Sequence, residues 1–490
     1  MSIERPTQIV QLRDTYAQWG CTAPIAIAKI PRSWSFFTEF HIPNQTTISS
    51  EQLQHLEHVE RLWATALEQN KFDGAWLMAG DEQFHFQDDQ GTRFKPPAYF
   101  SQWVDPEYIT PGSRMYIAPG AKPVLFLSQP EDYWHAPAPF PEHLANQLEI
   151  RSYTSADDLE AESKAHQPNL KAIATIGPSD ERPGDNLADP NTNPEALLNY
   201  LNFHRAAKTE YELVAMREAS RIAVRGHKAA ETTFFDGGSE FDIHMAYLRA
   251  SAQNETDLPY GNIVALNEHG ATLHYQHQVR TAPEPSLSLL IDAGGQARGY
   301  ASDITRTYAA AGPEHDTFVA LIDAMQVHQD KILDSVKPGV TFAALHVQMH
   351  EQLARLLIDQ QLVTCGTEEA INQGITRAFC PHGLGHLLGL QVHDVGGHIA
   401  DAQGSPAPPP AMDATLRFTR ALEENYVFTI EPGLYFISFF LKRLRQEGAA
   451  VNWNKVDPLI PYGGIRIEDN LRITDQGLEN LTRDAFDDAE

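Results

Sequence analysis

Residues 381–397, PHGLGHLLGLQVHDVGG, set His382, His386 and His393 within twelve positions, interrupted by glycines at 383, 385 and 389 and followed by Asp394. Glycine at this density works against a regular helix or strand, so the stretch reads as a loop. Alone it is a Gly-rich loop with solvated histidines. What it becomes depends on the carboxylates the rest of the chain brings to it. The lack of Glu at 383 excludes the HExxH type of zinc protease, in which that Glu is the base.

Three other segments offer such carboxylates. In LLIDAGGQARGYASDITRTY (289–308) two β-like runs flank a Gly-rich turn. A hairpin centred on Ala297 and Arg298 sets Asp292 opposite Asp303, with β-carbons about 5 Å apart. Two such charges repel by about 4 kcal/mol at 4 Å and an effective dielectric near 20. The pair therefore needs a proton, an arginine such as Arg306, or a cation. YVFTIEPGLYF (426–436) is a buried-type strand that delivers Glu431 to its end, just before a Pro-Gly turn. In GGIRIEDNLRIT (463–474) Ile465 and Ile467 alternate with Arg466 and Glu468, and period two puts Arg466 and Glu468 on one face. Each pattern has an ordinary reading by itself: a salt-bridged pair, the start of a loop, a solvated strand face. Taken together they supply carboxylates and imidazole, the donors that hard and borderline divalent ions take. Four carboxylates neutralise two such ions, and two-metal sites activate water while polarising a carbonyl.

The chain is long enough for two folded domains: 490 residues, 42% apolar and 21% charged. Its formal charge of −28 repels phosphate backbones and anionic bilayers, which excludes nucleic acid and membrane surfaces as expected partners. Cys21, Cys365 and Cys380 are odd in number and form no CxxC, so no disulfide framework is expected and a reducing compartment fits. The N-terminus has no apolar h-region, and no run approaches the roughly 18 apolar residues of a membrane span. The expected location is cytoplasmic.

Ser49 and Gln52 form a capping-box pattern ahead of an amphipathic helix carrying Leu53, Leu56, Val59, Leu62 and Trp63. Short apolar runs at 74–80, 124–129 and 172–177 follow, as in a small α/β layer. Residues 177–196 are rich in Pro, Asp and Asn and mark the domain boundary. A second capping box, Thr209 and Glu212, opens a helix with Leu213, Met216, Ala219, Ile222 and Ala223 on its apolar face. Helical patterns at 239–252, 315–335 and 341–362 interleave with strand-like segments at 286–293, 301–308, 425–430 and 463–473, an α+β arrangement with hairpins. The expected partition is an N-terminal extension of unknown role (1–48), an α/β lid and dimerisation domain (49–196) and a catalytic domain (197–490).

IDAG…SDITRTY, PHGLGHLLGLQVHDVGG, TIEPGLYF and GGIRIEDN, in that order, resemble the creatinase/aminopeptidase-P/prolidase superfamily of pita-bread metallopeptidases. AAKTEYELVAMREA, YGNIVALNEHGATLHY and NWNKVDPLIPYGGIRIEDN resemble its bacterial Xaa-Pro dipeptidases, including the organophosphorus acid anhydrolases, over roughly residues 50–485. The resemblance implies a C-terminal pita-bread domain, a curved and mainly antiparallel sheet covered by helices, behind a smaller N-terminal α/β creatinase-like domain. It implies two divalent ions per subunit, Mn²⁺ first with Co²⁺ or Zn²⁺ accepted by the same donors, on Asp292, Asp303, His386, Glu431 and Glu468, with Asp303 and Glu468 bridging. His382, His393, Glu431 and Arg466 carry over as catalytic residues. Tyr260, His274 and Arg417 carry over to the substrate side, with Arg420 structural. Asp89, in FHFQDD, and Trp134, in DYWHAP, match a lid that caps the partner's site in a homodimer or dimer of dimers.

The implied reaction is hydrolysis of the bond before a C-terminal proline in Xaa-Pro dipeptides, with a side activity on organophosphorus triesters at P–F and P–O bonds. The alternatives are an aminopeptidase P acting on longer Xaa-Pro peptides and a metal-free binding protein on the same fold. One departure is Phe342, where some organophosphate-hydrolysing members carry Tyr; it bears on pocket size. A closed pocket suits this substrate physically. The bond before proline has no N–H, so recognition as an added β-strand loses a hydrogen bond there. A free carboxylate must be captured instead, which suits the planar donors of arginine.

Overall fold

The computed structural model describes residues 48–131, 133, 136–166, 172–178, 189–475 and 477–489. The expected N-terminal extension, but for residue 48, and Trp134 lie outside the described residues. The first half is built on a mixed five-stranded sheet in the order Glu149–Tyr153, Val124–Ser128, Arg114–Ile117, Gly74–Met78, Ile173–Ile176. The inner pairings are antiparallel and the two outer ones parallel. Three of these strands coincide with the apolar runs expected from sequence. The other two carry Arg114, Glu149 and Arg151 and so lack the apolar signature. Helix Ser50–Gln69 lays Leu56, Val59, Trp63, Ala66 and Leu67 against Leu77, Met115, Leu125 and Leu127 of the sheet. Each such side chain contributes on the order of 1.5–3 kcal/mol by leaving water.

The two capping signals turn out differently. At Thr209 the box is reciprocal, its amide donating to Glu212 Oε2 at 2.8 Å. At Ser49 only half forms: Ser49 Oγ accepts from the Gln52 amide (3.1 Å), while the Gln52 side-chain nitrogen donates to Tyr211 Oη (3.4 Å). Tertiary contact has captured the side chain that local chemistry would use as a cap. His55 reinforces the same seam, with its ring nitrogens 2.8 Å from Thr209 Oγ1 and 2.8 Å from the Gln102 carbonyl.

In the second half every strand pairing is antiparallel. Ile263–Leu266, Ser288–Asp292 and Thr305–Ala309 make one sheet, and Val427–Ile430, Asp469–Thr474 and Gly477–Asn480 another. Gly433–Tyr435 pairs with Gly464–Arg466. A bridge between Thr305 and Glu468, with the Glu468 amide donating to the Thr305 carbonyl at 3.1 Å, joins the first sheet to the second. Helices His315–Leu333 and Phe342–Asp359 pack Phe318, Leu321, Met325, Leu345, Met349 and Leu353 into one core with Phe428, Ile430, Leu434 and Ile465. Among the described residues no helix is long and apolar enough to cross a membrane.

Candidate metal centre

The first pair of carboxylates comes from the hairpin, in a register other than the one expected. The turn is centred on Arg298 and Gly299, both at positive φ (51° and 85°), and Asp292 faces Thr305, not Asp303. Shifting the turn centre by one residue moves the partner by two, which preserves the face, so Asp303 still lies on the side of Asp292 as a diagonal neighbour. Tyr260 Oη joins them, 2.7 Å from Asp292 Oδ1 and 2.5 Å from Asp303 Oδ1. Gly294 makes room for this arrangement: a β-carbon there would lie 2.1 Å from the Ser302 carbonyl oxygen and 2.8 Å from the Tyr260 ring.

The histidine-bearing segment runs alongside strand Val427–Ile430, with the Thr429 amide donating to the His386 carbonyl and the Glu431 amide to the Leu384 carbonyl, both at 2.9 Å. Gly385 permits the approach, because a β-carbon would sit 2.1 Å from the Thr429 carbonyl oxygen. His386 is buried, and its Nδ1 lies 3.0 Å from the Leu387 carbonyl. An Nδ1–H donated there points Nε2, the nitrogen that would give its lone pair to an ion, toward Asp303 Oδ2 at 3.4 Å and Glu431 Oε1 at 3.9 Å. Donor atoms of Asp303, His386 and Glu468 lie within 4.8 Å of one another. Asp292 is engaged by Arg466, Nη2 to Oδ2 at 2.5 Å, and Glu431 Oε2 lies 4.0 Å from Arg466 Nε.

Crowding four buried carboxylates has the electrostatic result expected of it. Burial pushes Glu431 up to about 7 and Asp292 up to about 6, and raises Glu468 well above the usual carboxylate range. Asp303 goes the other way: burial would raise it, but the hydrogen bond and charge of His386 hold it below its ordinary value. Without a cation the cluster keeps protons it would lose in water, and a divalent ion would replace them. The donor set of carboxylate oxygens and one imidazole, without thiolate, fits hard and borderline divalent ions.

The other expected residues fall into three groups. His382 lies inside the cluster, its Nδ1 2.8 Å from the Gly383 carbonyl and 3.7 Å from Glu431 Oε2, its Nε2 2.9 Å from Tyr435 Oη. His393 is exposed, its ring 4.4 Å from that of His386. His274 and Arg417 are exposed too, and the charges of both bear on His393. Arg420 is buried between Phe203 and Tyr426 and donates to the Phe203 and Gly396 carbonyls. Phe342 is fully buried against Phe418 and Phe428. Asp89 stands exposed on the hairpin of Gln83–Phe84 and Gly91–Thr92, accepting from its neighbour Gln90.

Two residues had not been singled out, and a third, Asp394, is marked in the sequence only as the carboxylate after the histidines. Thr305 Oγ1 donates to Glu468 Oε2 (2.6 Å) and accepts from Arg466 Nε (3.0 Å). Tyr435 Oη sits between His382 and Arg466 Nη1, 2.9 Å from each. The Asp394 side chain is buried, bonded to Arg205 Nη2 and 3.3 Å from Lys208 Nζ. Period two could have found the first, since Thr305 is two residues from Asp303. Tyr435 lies four residues from Glu431, beyond a Pro-Gly turn that weakens any such argument.

The sequence model of metallopeptidase family M24 matches residues 214–475, and that of the Xaa-Pro dipeptidase N-terminal domain matches residues 51–203. The chain is 43% identical over 443 residues to the Xaa-Pro dipeptidase of Serratia proteamaculans, covering 89% of this chain and 99% of that one. It is 44% identical over 433 residues to that of Shewanella loihica, covering 88% and 97%. Among solved structures, a variant of Escherichia coli aminopeptidase P in complex with substrate superimposes with a TM-score of 0.69 at 22% identity, covering 90% of this chain and 96% of that one. Proline aminopeptidase P II from Yersinia pestis gives 0.63 at 23% identity, covering 89% and 96%. These two likenesses establish the pita-bread fold, and with the family matches and the dipeptidase relatives they place the protein: the chain belongs to metallopeptidase family M24, in its Xaa-Pro dipeptidase group.

Proposed function

We propose that this chain hydrolyses Xaa-Pro dipeptides at a dinuclear centre held by Asp292, Asp303, His386, Glu431 and Glu468. The observation that carries the site assignment is the convergence of Asp303, His386 and Glu468 donor atoms within 4.8 Å, from three distant parts of the chain. When bound, two divalent ions, Mn²⁺ first, would supply Lewis acidity and an activated water. Arg417, exposed beside His393, captures the substrate carboxylate. Burial pushes His382 down to about 3, so its imidazole is neutral near pH 7. With its Nδ1–H given to the Gly383 carbonyl, His382 accepts from Tyr435 Oη through Nε2 and keeps its ring edge against Glu431. Its role is then to hold Glu431, whose carboxylate would take a proton from the attacking water and pass it to the proline nitrogen. His393 and His274 hydrogen-bond the substrate. Tyr260 acts on the carboxylate pair it bridges, and Arg466 anchors Asp292.

We assign residues 49–196 to a lid and dimerisation domain and 197–490 to the catalytic domain. Exposed Phe84 and Phe86, on the hairpin that carries Asp89, support the capping of a partner's site in a homodimer. Cys365 and Cys380, free among the described residues, support a reducing, cytoplasmic setting. The same nucleophile serves tetrahedral phosphorus, giving an organophosphorus triesterase side activity. Phe342 tunes it only through Phe418, the neighbour of Arg417, because its own ring is in the core.

The test is Leu-Pro hydrolysis: excess EDTA abolishes it and Mn²⁺ restores it, whereas unchanged turnover in EDTA overturns the reading. Comparison of Leu-Pro with a Leu-Pro tripeptide separates the dipeptidase from an aminopeptidase P. Less than about one ion per chain after Mn²⁺ loading would favour a metal-free binding protein.

A further inference from the structure

A second cluster of metal-type donors lies apart from the candidate centre. His346 and His350, one turn apart on helix Phe342–Asp359, face Asp413 of the short turn Ala411–Asp413. His346 Nε2 is 3.4 Å and His350 Nε2 3.8 Å from the same oxygen, Asp413 Oδ1. Both imidazoles are at least 97% buried, at 1% and 3% exposure. Among the described residues neither nitrogen of His346, nor Nδ1 of His350, has a hydrogen-bond partner. Buried polar groups are ordinarily paired, so two neighbouring imidazoles left this way call for an occupant.

We propose that His346, His350 and Asp413 hold a structural divalent cation of the borderline class, such as Zn²⁺, separate from the dinuclear centre. The separations of 3.4 and 3.8 Å exceed the 2.7–3.2 Å of a direct N–H···O bond. They suit two donors on one ion, because metal–donor bonds near 2.1 Å in a tetrahedron set donors about 3.4 Å apart. The same 3.4 Å separates His386 Nε2 from Asp303 Oδ2 in the candidate dinuclear centre. Histidines at i and i+4 on one helix face, with a carboxylate from elsewhere, supply three of the donors of a tetrahedral ion. Arg377 fixes the carboxylate, Nε to Oδ1 at 2.7 Å and Nη2 to Oδ2 at 3.0 Å, and Oδ1 keeps a lone pair for the ion. Burial lowers both histidines, His350 to about 3, so no proton has to be displaced near neutral pH. The guanidinium disfavours a hard ion held by carboxylates alone, while two neutral imidazoles select a borderline one.

The ion would brace the segments that feed the active site. Asp413 lies four residues before Arg417, and Arg377 sits on helix Ile375–Phe379, which leads into His382. On helix Phe342–Asp359, between His346 and His350, Met349 Sδ lies 3.9 Å from Cys380 Sγ, itself 3.7 Å from His382 Nε2.

Crystals of the full chain loaded with Mn²⁺ and then exposed to Zn²⁺ provide the test, with anomalous difference maps on either side of the zinc edge. The expected result is a zinc peak between His346 Nε2, His350 Nε2 and Asp413 Oδ1. Peaks at the dinuclear centre with none here would overturn the proposal. A peak here with none there would instead sink the catalytic assignment, so the two failures are distinguishable. In solution, the His346→Gln/His350→Gln chain is expected to retain one zinc ion fewer per chain than the parent after desalting. Equal zinc content in a folded variant, judged by circular dichroism, would count against the site.

Discussion

Arg466 holds Asp292 with Nη2 on Oδ2 at 2.5 Å, both side chains largely buried. Its two other nitrogens reach Thr305 Oγ1 (3.0 Å) and Tyr435 Oη (2.9 Å), so one guanidinium positions three side chains of the site. A lysine ammonium is a point donor and cannot reproduce that fork. Arg466→Lys is expected to lower kcat/KM on Leu-Pro by about 10- to 100-fold, in the range typical of residues that orient metal ligands. Steady-state kinetics with metal analysis on the same sample check this, and unchanged kcat/KM would refute the positioning role.

Glu468→Gln tests the metal assignment through stability. In the metal-free protein burial keeps Glu468 protonated, so an isosteric amide changes little and the two melting temperatures should nearly coincide. With metal at a hundredfold excess over Kd, the parent gains about 2.7 kcal/mol. The variant should gain far less and lose Leu-Pro hydrolysis. Calorimetry with and without Mn²⁺ reads both effects; an equal metal-induced rise in the two chains would remove Glu468 from the ligand set.

Asp394 lies between two buried cations, Arg205 and Lys208. Replacing it with Asn strands both charges, at an expected cost of about 3–5 kcal/mol. The denaturation midpoint of Asp394→Asn should fall accordingly, with a higher KM because His393 is its chain neighbour. A midpoint within experimental error of the parent would show that the ion pairs contribute little.

His328 sets an acid response independent of the metal centre. It is buried on helix His315–Leu333, neither ring nitrogen has a hydrogen-bond partner among the described residues, and burial pushes its pKa down to about 3. The unfolded chain takes up that proton below about 6.5, where the folded chain does not. The stabilisation is therefore complete above 6.5 and lost as pH falls toward 3, amounting to about 1 kcal/mol by pH 5.5. His328→Leu should make stability less steep between pH 7 and 5.5, measured by urea denaturation. A parallel pH dependence in the two chains would contradict it.

Much of the candidate site was legible because its parts are local. Glycines mark where backbone approaches backbone, as at Gly385, and period two puts Arg466 and Glu468 on one face. The hairpin centre was misjudged by one residue, yet Asp292 and Asp303 kept a common face because the partner shift was even. Other relationships were not legible. Asp394 meets Lys208 and Arg205 across 186 and 189 residues, and nothing in PHGLGHLLGLQVHDVGG encodes such a partner. Gln52, a cap by local pattern, donates instead to Tyr211, 159 residues away.

The sequence by itself determined the family, the alternation of helix and antiparallel strand, and the side of each strand on which a carboxylate emerges, because these follow from periodicities of two and 3.6 residues within short windows. Only the tertiary structure decided which oxygens meet which donors: that Asp292 faces Thr305 and bonds Arg466, that Tyr435 links His382 to Arg466, and that His346 and His350 converge on Asp413. The physical reason is that a face is fixed by backbone geometry, whereas a separation of 3 Å is fixed by how segments far apart in the chain pack against a common core.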